Sequence, residues 1–276
     1  MEQAAFSLSA MPSMNFAVSK IKLDSLSPLN QHESHIHKSC EVYINLSGDV
    51  SFAVENRLYP ISRGSVIITR PYEYHHCIYH SNTLHEHYWI TFSAEQEQGF
   101  LKLFFDREKG VDNRIVLEEP VLQELCGVLD GILTEPNDEL SRRIGILQFL
   151  QILTKGSRVS QTENLDRLPI DVMAALEYAD DHLDEDLDVR SLAKVCHVSV
   201  NTLERHFKES FGELPIAAIR KKRLIASMML LRNGESVTDA ARKCGFPDYS
   251  NYIQLFRKLV YLCHRLLRVE QSNKTA

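Results

Sequence analysis

A chain of 276 residues with 44% apolar residues is long enough for two domains with separate cores, and with no run of about 18 apolar residues and no leader-like start it is expected to be cytoplasmic and free of the membrane. Six cysteines, at 40, 77, 126, 196, 244 and 263, form no C-x-x-C and no zinc-finger spacing, and they read as reduced, mostly buried thiols rather than a disulfide framework. The net charge of −6 conceals a polarised chain: 190–276 carries 16 Lys/Arg against 7 Asp/Glu, net +9, and the residues before it stand at −15, so any surface for a polyanion belongs to the C-terminal third.

Between Asn15 and Ser93 lie short runs rich in Val, Ile, Tyr, Phe and Thr, among them 40–46, 50–54, 65–69 and 87–92, punctuated by Gly48, Pro60, Gly64 and Pro71. Many short strands at this spacing predict a barrel or sandwich rather than a parallel sheet. His35, His37 and Glu41 share one strand face by the period of two, and with His75 they form a donor set suited to Zn, Ni, Fe or Mn. The same positions suit a small-molecule pocket: Tyr43 and Asn45 continue the face and Trp89 lies in a later strand, together offering stacking and hydrogen bonds to a polar ligand such as a sugar. Tyr43 and Trp89 also read as plain core aromatics. Val42, Ile44 and Leu46 take the opposite face, and parity alone does not say which face lines the cavity.

Two helices follow. Residues 120–133 carry Val121, Leu122, Leu125, Val128, Leu129 and Ile132 at helical spacing, and after the break at Pro136-Asn137-Asp138, residues 140–153 carry Ile144, Leu147, Leu150 and Leu153. Such faces are expected to be buried, on the barrel or against a second chain. The polar stretch 155–168 reads as a linker.

The last ninety residues contain one pattern twice. Ala193 and Ala241 lie 48 apart, as do Cys196 and Cys244, whereas Leu203 and Tyr252, and Phe207 and Phe256, lie 49 apart, so one residue has been inserted in the turn. Each copy reads as helix, tight turn and helix, with a small Ala where the helices cross and Ser199 or Asp248 as the cap of the second helix. Residues 216–232 lack Gly and Pro and stop at Gly234, a spacer of about 25 Å at ~1.5 Å per residue. That length is compatible with two heads about one DNA turn, roughly 34 Å, apart. Val200, Asn201, Glu204, Arg205 and Lys208 point away from the apolar stripe of the first recognition helix; Tyr249, Ser250, Asn251, Gln254 and Arg257 do so in the second. Asn suits adenine, Arg guanine and Glu cytosine, and Lys208 suits a phosphate.

The segments Ser191-Leu192-Ala193, Phe207-Lys208, Phe211-Gly212, Pro215, Arg220, Arg223-Leu224, 237–241, Gly245-Phe246 and Phe256-Arg257-Lys258 resemble the AraC/XylS family of bacterial transcription regulators. His35-x-His37-x3-Glu41-x6-Gly48 and Gly64…Pro71-x3-His75 resemble the two cupin motifs, without the usual glycine before the first His. The family's closing Gly, Thr-Pro and Tyr-Arg are replaced here by Tyr261, Cys263-His264 and Leu267-Arg268.

The resemblance implies an α+β two-domain fold: a cupin-like effector-binding β-barrel over 1–118, a helical dimerisation segment over 119–155, a linker over 156–168, and an all-α DNA-binding domain over 169–276 with helix-turn-helix units at 188–210 and 237–258. It implies a non-enzymatic, ligand-responsive transcription regulator or activator without a cofactor. Its implied partners are a double-stranded operator, a small effector, RNA polymerase and a second copy, paired through the first of the two helices. Matching family positions single out Asn201, Glu204, Arg205, Tyr249, Ser250 and Gln254 for base edges. The alternative is a metal-binding cupin, sensor or enzyme, fused to the heads, with a divalent ion on His35, His37, Glu41 and His75. With Gln254 where the first copy has Arg205, the first head is expected to dominate sequence readout.

Overall fold

A computed structural model describes residues 16–23, 37–81, 84–93, 101–134, 139–158 and 168–257. His35 and everything past 257, including the atypical end of the second unit, lie outside the described residues.

The N-terminal part holds β1 (Phe16–Leu23), β2 (Cys40–Ser47), β3 (Val50–Val54), β4 (Arg57–Ile61), β5 (Ser65–Thr69), β6 (His75–Tyr79), β7 (His85–Phe92), the short α1 (Lys102–Phe105) and β8 (Arg114–Val116). They form two sheets, β1-β7-β2-β5-β8-β9 and β4-β3-β6, where β9 is Ser157–Arg158. Adjacent pairs are antiparallel. β4 contains Pro60 and is an edge strand of its sheet, the place where a missing ladder donor is tolerated.

Alternation along β2 and β7 separates two cores. Val42, Ile44, Leu46, Tyr88, Ile90 and Phe92 point outward to α2 (Glu119–Thr134) and α3 (Glu139–Leu153), where Leu122, Leu125, Leu129 and Phe149 cover them. Each such side chain, fully buried, contributes about 1.5–3 kcal/mol. The opposite residues face the second sheet across the lumen, where Tyr43, Phe52, Val54, Tyr59, Ile67 and Cys77 form an apolar cluster. The inner face of the barrel, left undecided by parity, is therefore the side of Glu41, Tyr43 and Asn45.

Two expectations need correction. Not all of the stripe read in α3 is buried: Ile144 is 47% and Leu147 45% exposed. α3 instead turns Phe149, Leu150, Ile152 and Leu153 inward, because Phe149 meets the Phe16 ring edge-on at 5.7 Å and anchors that side of the helix. The expected linker is also bounded by ordered backbone, since Ser157 and Arg158 extend the large sheet by pairing with β8, and Leu168 is buried in the next domain. Residues 159–167 lie outside the described residues.

The C-terminal part comprises α4 (Ile170–Asp181), α5 (Val189–Val195), α6 (Val200–Phe211), α7 (Pro215–Arg232), α8 (Val237–Lys243) and α9 over 249–257. The duplication is visible in the backbone. Val198 N–H donates to Ala193 O and Phe246 N–H to Ala241 O, both at 3.0 Å, and each turn passes through a left-handed residue, His197 at φ 56° and Gly245 at φ 70°. Ser199 caps α6 by accepting from Thr202 N–H, and Asp248 accepts from Ser250 and Asn251 N–H at the start of α9. α7 begins with Pro215 at a position where the missing N–H costs nothing, and it joins the two units.

The two domains share a surface. Ala53, Leu58 and Ile78, on the outer face of the β4-β3-β6 sheet, pack with Leu168, Val172, Ala175, Leu176 and Phe211. Tyr74 Oη donates to Glu213 Oε1 at 2.8 Å, and Asn56 Nδ2 to Asp180 Oδ2 at 2.8 Å.

Candidate effector site and nucleic-acid interface

At one end of the lumen His37, Glu41 and His75 converge, with ligand-type atoms within 4.8 Å of one another. His37 Nε2 lies 2.9 Å from Glu41 Oε2 and His75 Nε2 lies 3.3 Å from Glu41 Oε1. The His75 ring is set from behind, its Nδ1–H donating to the Glu73 carbonyl at 2.7 Å. Burial works against charge on His75, but the Glu41 carboxylate beside it and the Glu73 carbonyl raise its pKa above the ordinary imidazole value. Two imidazoles and a carboxylate, one ring held by a backbone acceptor, fit a divalent cation in donor type and outer support. They equally form a closed acid–base cluster.

Glu73 itself is a scaffold. It accepts from Arg107 Nη2 at 2.6 Å and from the N–H groups of Gly110 and Arg70, with both ion-pair partners fully buried. Burial alone would raise its carboxyl, and the Arg107 guanidinium and these N–H groups bring it below the ordinary carboxylate range. The segment leading into β6 is thereby pinned.

Further along β2 the lumen changes character. Asn45 is fully buried and, among the described residues, neither atom of its carboxamide has a hydrogen-bond partner; the Thr69 hydroxyl is in the same state. Asn45 pairs across the ladder with His87, and Tyr43 with Trp89, while the Tyr43 ring stacks on His87 at 4.6 Å. The predicted lining residues Glu41, Tyr43, Asn45, His75 and Trp89 thus share the inner face. His87 and Thr69 belong with them and were missed by sequence reasoning, although His87 lies two residues from Trp89 and could have been found by parity.

In the heads, Asn201, Arg205, Lys208, Tyr249, Ser250, Asn251, Gln254 and Arg257 are exposed, and Val200 and Glu204 are half-buried. Val200 rests against the domain core, which takes part of its side chain away from any partner. Leu203 and Phe207 fix the inner face of α6, and Tyr252 that of α9. Arg205 is tethered, Nη1 to Glu209 Oε1 at 3.1 Å and Nη2 to His206 Nε2 at 2.9 Å. His206 Nδ1 lies 2.8 Å from Asp171 Oδ2 of α4. Neither His206 nor Asp171 was singled out from the sequence.

A cupin-like barrel with a polar inner face, joined to twin helix-turn-helix units, defines a DNA-binding regulator with its own sensor domain. Residues 27–153 match the AraC-like ligand binding domain and residues 192–263 match a helix-turn-helix domain. The two matches together span most of the chain and bear out its resemblance to the AraC/XylS family of transcription regulators. It is 37% identical over 126 residues to the HTH-type transcriptional activator RhaS of Enterobacter sp. (strain 638), a match covering 45% of this chain and 44% of that one. It is 26% identical over 252 residues to RhaS of Klebsiella pneumoniae (strain 342), covering 87% and 89%. Among solved structures, ToxT from Vibrio cholerae O395 aligns over 89% of this chain and 93% of its own, with 15% identity and a TM-score of 0.33. Among the described residues no helix is long and apolar enough to cross a membrane.

Proposed function

We propose that this regulator takes a small polar effector into the barrel lumen and passes its arrival to the DNA-reading heads through the β4-β3-β6 sheet. The observation that carries the reading is the pair of buried, unpartnered polar groups at Asn45 and Thr69. Each such group costs about 1–3 kcal/mol when left unpaired, so a ligand bearing hydroxyl or carbonyl groups, as a sugar or polyol does, recovers that energy on binding. The stacked Tyr43 and His87 rings supply the flat wall such a ligand needs. The relatives' name, transcriptional activator, supports activation as the output.

The sheet is suited to transmission because its two faces belong to different domains. Phe52, Val54 and Cys77 line the lumen, whereas Ala53, Leu58 and Ile78 touch the helices of the heads. A ligand that repacks the inner face must shift the outer one, and coupling of this kind is typically about 1–3 kcal/mol. The test is a thermal-shift and operator-binding titration with a panel of monosaccharides and polyols on the wild-type chain and Asn45→Leu. The variant is expected to fold at least as stably and to lose the ligand response; an equal response in both removes the lumen as the effector site.

The site residues for DNA remain those exposed on α6 and α9, acting in the cytoplasm where the operator is. A second copy is proposed to dock on α3 rather than on α2. The apolar face of α2 is spent on the barrel, while Leu140, Ile144 and Leu147 of α3 stand exposed beside a groove of about 390 Å³ lined by Gly127, Gly131 and Gly145. An Ile144→Glu, Leu147→Glu double variant is expected to sediment as a monomer at concentrations where the wild type is dimeric.

A second reading is favoured by the His37, Glu41 and His75 cluster: a divalent cation as effector, held by those three side chains. Elemental analysis of the purified chain decides it, with about one metal per chain expected, lost in His75→Ala; a metal-free wild type that still answers a sugar ends it.

A further inference from the structure

We infer that Asp171 and His206 are positioning residues that set the base preference of Arg205, without touching DNA themselves. The inference rests on the reading that α6 enters the major groove.

His206 lies on the flank of α6, between the buried stripe of Leu203 and Phe207 and the exposed row of Asn201, Arg205 and Lys208. Its two ring nitrogens have opposite partners. Nδ1 is 2.8 Å from a carboxylate oxygen of Asp171, which can only accept, and Nε2 is 2.9 Å from Nη2 of Arg205, which can only donate. One tautomer satisfies both contacts, with the proton on Nδ1 and the lone pair on Nε2. Asp171 is buried in the first turn of α4, a helix that packs under the first head, so the chain Asp171–His206–Arg205 runs from the domain core to the recognition surface.

The guanidinium has a second tether of a different kind. Its pair with Glu209 is solvent-exposed on both sides, and exposed pairs of this spacing contribute little. A guanine edge offering two acceptors displaces that contact readily. The His206 contact is exposed too, but its ring is held from behind by the part-buried pair with Asp171, so the acceptor stays in place while Arg205 is bound to the base. Ordering a free Arg side chain costs rotamer entropy, and an arginine already held at one Nη group avoids part of that cost and presents a fixed edge to the groove. Fixing the edge is what converts a positive charge into base preference.

The test uses the full chain and a randomised double-stranded DNA pool, from which the base-preference profile of each variant is read alongside its thermal unfolding. Arg205→Ala is expected to flatten the preference at one position by about tenfold. His206→Leu, which cannot accept, is expected to flatten the same position by at least about threefold and to leave the others unchanged. His206→Gln, whose amide can face Asp171 while its carbonyl faces Arg205, is expected to stay within about twofold of wild type. Asp171→Ala frees the ring without removing it, gives a smaller flattening at the same position, and supplies the test if His206→Leu does not fold. The inference is overturned if Arg205→Ala flattens the profile while both His206→Leu and Asp171→Ala keep it, or if they lower affinity equally for every sequence. An unchanged profile in Arg205→Ala overturns it too, and with it the placement of α6 in the groove.

Discussion

The two helix-turn-helix units turn the same corner with different residues, and the difference lies in what surrounds the corner. His197 and Gly245 are both left-handed. His197 is exposed and keeps its side chain. Gly245 has no such room: a Cβ there would lie 2.3 Å from the Leu183 carbonyl oxygen and 3.0 Å from Arg223 Cζ. Arg223 of α7 also donates to Gly245 O at 3.1 Å and to Glu185 O, which clamps the second turn against the segment after α4. The first unit packs on α4 and on the outer face of the β4-β3-β6 sheet, whereas the second is fastened through Arg223 to the segment after α4 that leads into the first, and Arg223 fixes the angle between them.

That contrast predicts its own largest effect. Gly245→Ala is expected to cost about 3 kcal/mol, from the left-handed backbone and the carbonyl clash together, whereas His197→Ala stays within about 0.5 kcal/mol. Chemical denaturation of both variants measures this, and equal costs would mean that the second turn is not clamped. A smaller effect separates the heads as readers. Arg205 and Gln254 are 49 apart and occupy the same place in the repeat. Arg205→Ala is expected to weaken specific binding by about 1–3 kcal/mol and to relax one base position, whereas Gln254→Ala leaves discrimination nearly intact. Comparable losses of discrimination in quantitative binding to selected and scrambled DNA would make the heads equal readers.

Much of this was legible before any coordinates, for a physical reason. Helix caps and the alternation in β2 are local properties, each decided within about ten residues, and the 48- and 49-residue repeat compares two such local patterns; Ser199, Asp248, Glu41, Tyr43 and Asn45 were read from them. What was not legible is what two distant segments decide together. Which face of β2 lines the lumen depends on the second sheet closing over it. Whether Ile144 or Phe149 of α3 is buried depends on Phe16, more than a hundred residues away. Asp171 meets His206 only because α4 packs on α6, and the buried stripe of Val172, Ala175, Leu176 and Ala179 that packs α4 is blurred in the sequence by the exposed Ile170 and Met173. The clamp on Gly245 is of the same kind: the glycine is visible in the sequence, but its reason is a carbonyl 62 positions earlier.

The smallest effects test where the heads should agree. Ser199→Ala removes the oxygen that accepts from Thr202 N–H, and the exposed start of α6 is expected to lose about 1 kcal/mol, seen as a modest fall in unfolding temperature with the base profile unchanged. Lys208 and Arg257 are also repeat mates, both exposed on the outer face of their recognition helices. A cation that meets a phosphate reads no sequence, and its contribution is counterion release. Lys208→Ala and Arg257→Ala are therefore each expected to lower affinity for all DNA sequences alike and to reduce the slope of log affinity against log salt by about 0.9. Equal reductions would show that the second head sits on the backbone as firmly as the first while reading less of it. A reduction with Lys208→Ala alone would mean that the second head does not reach the duplex, and the division between a reading head and a clamped supporting head would then have to be replaced by a single-headed protein.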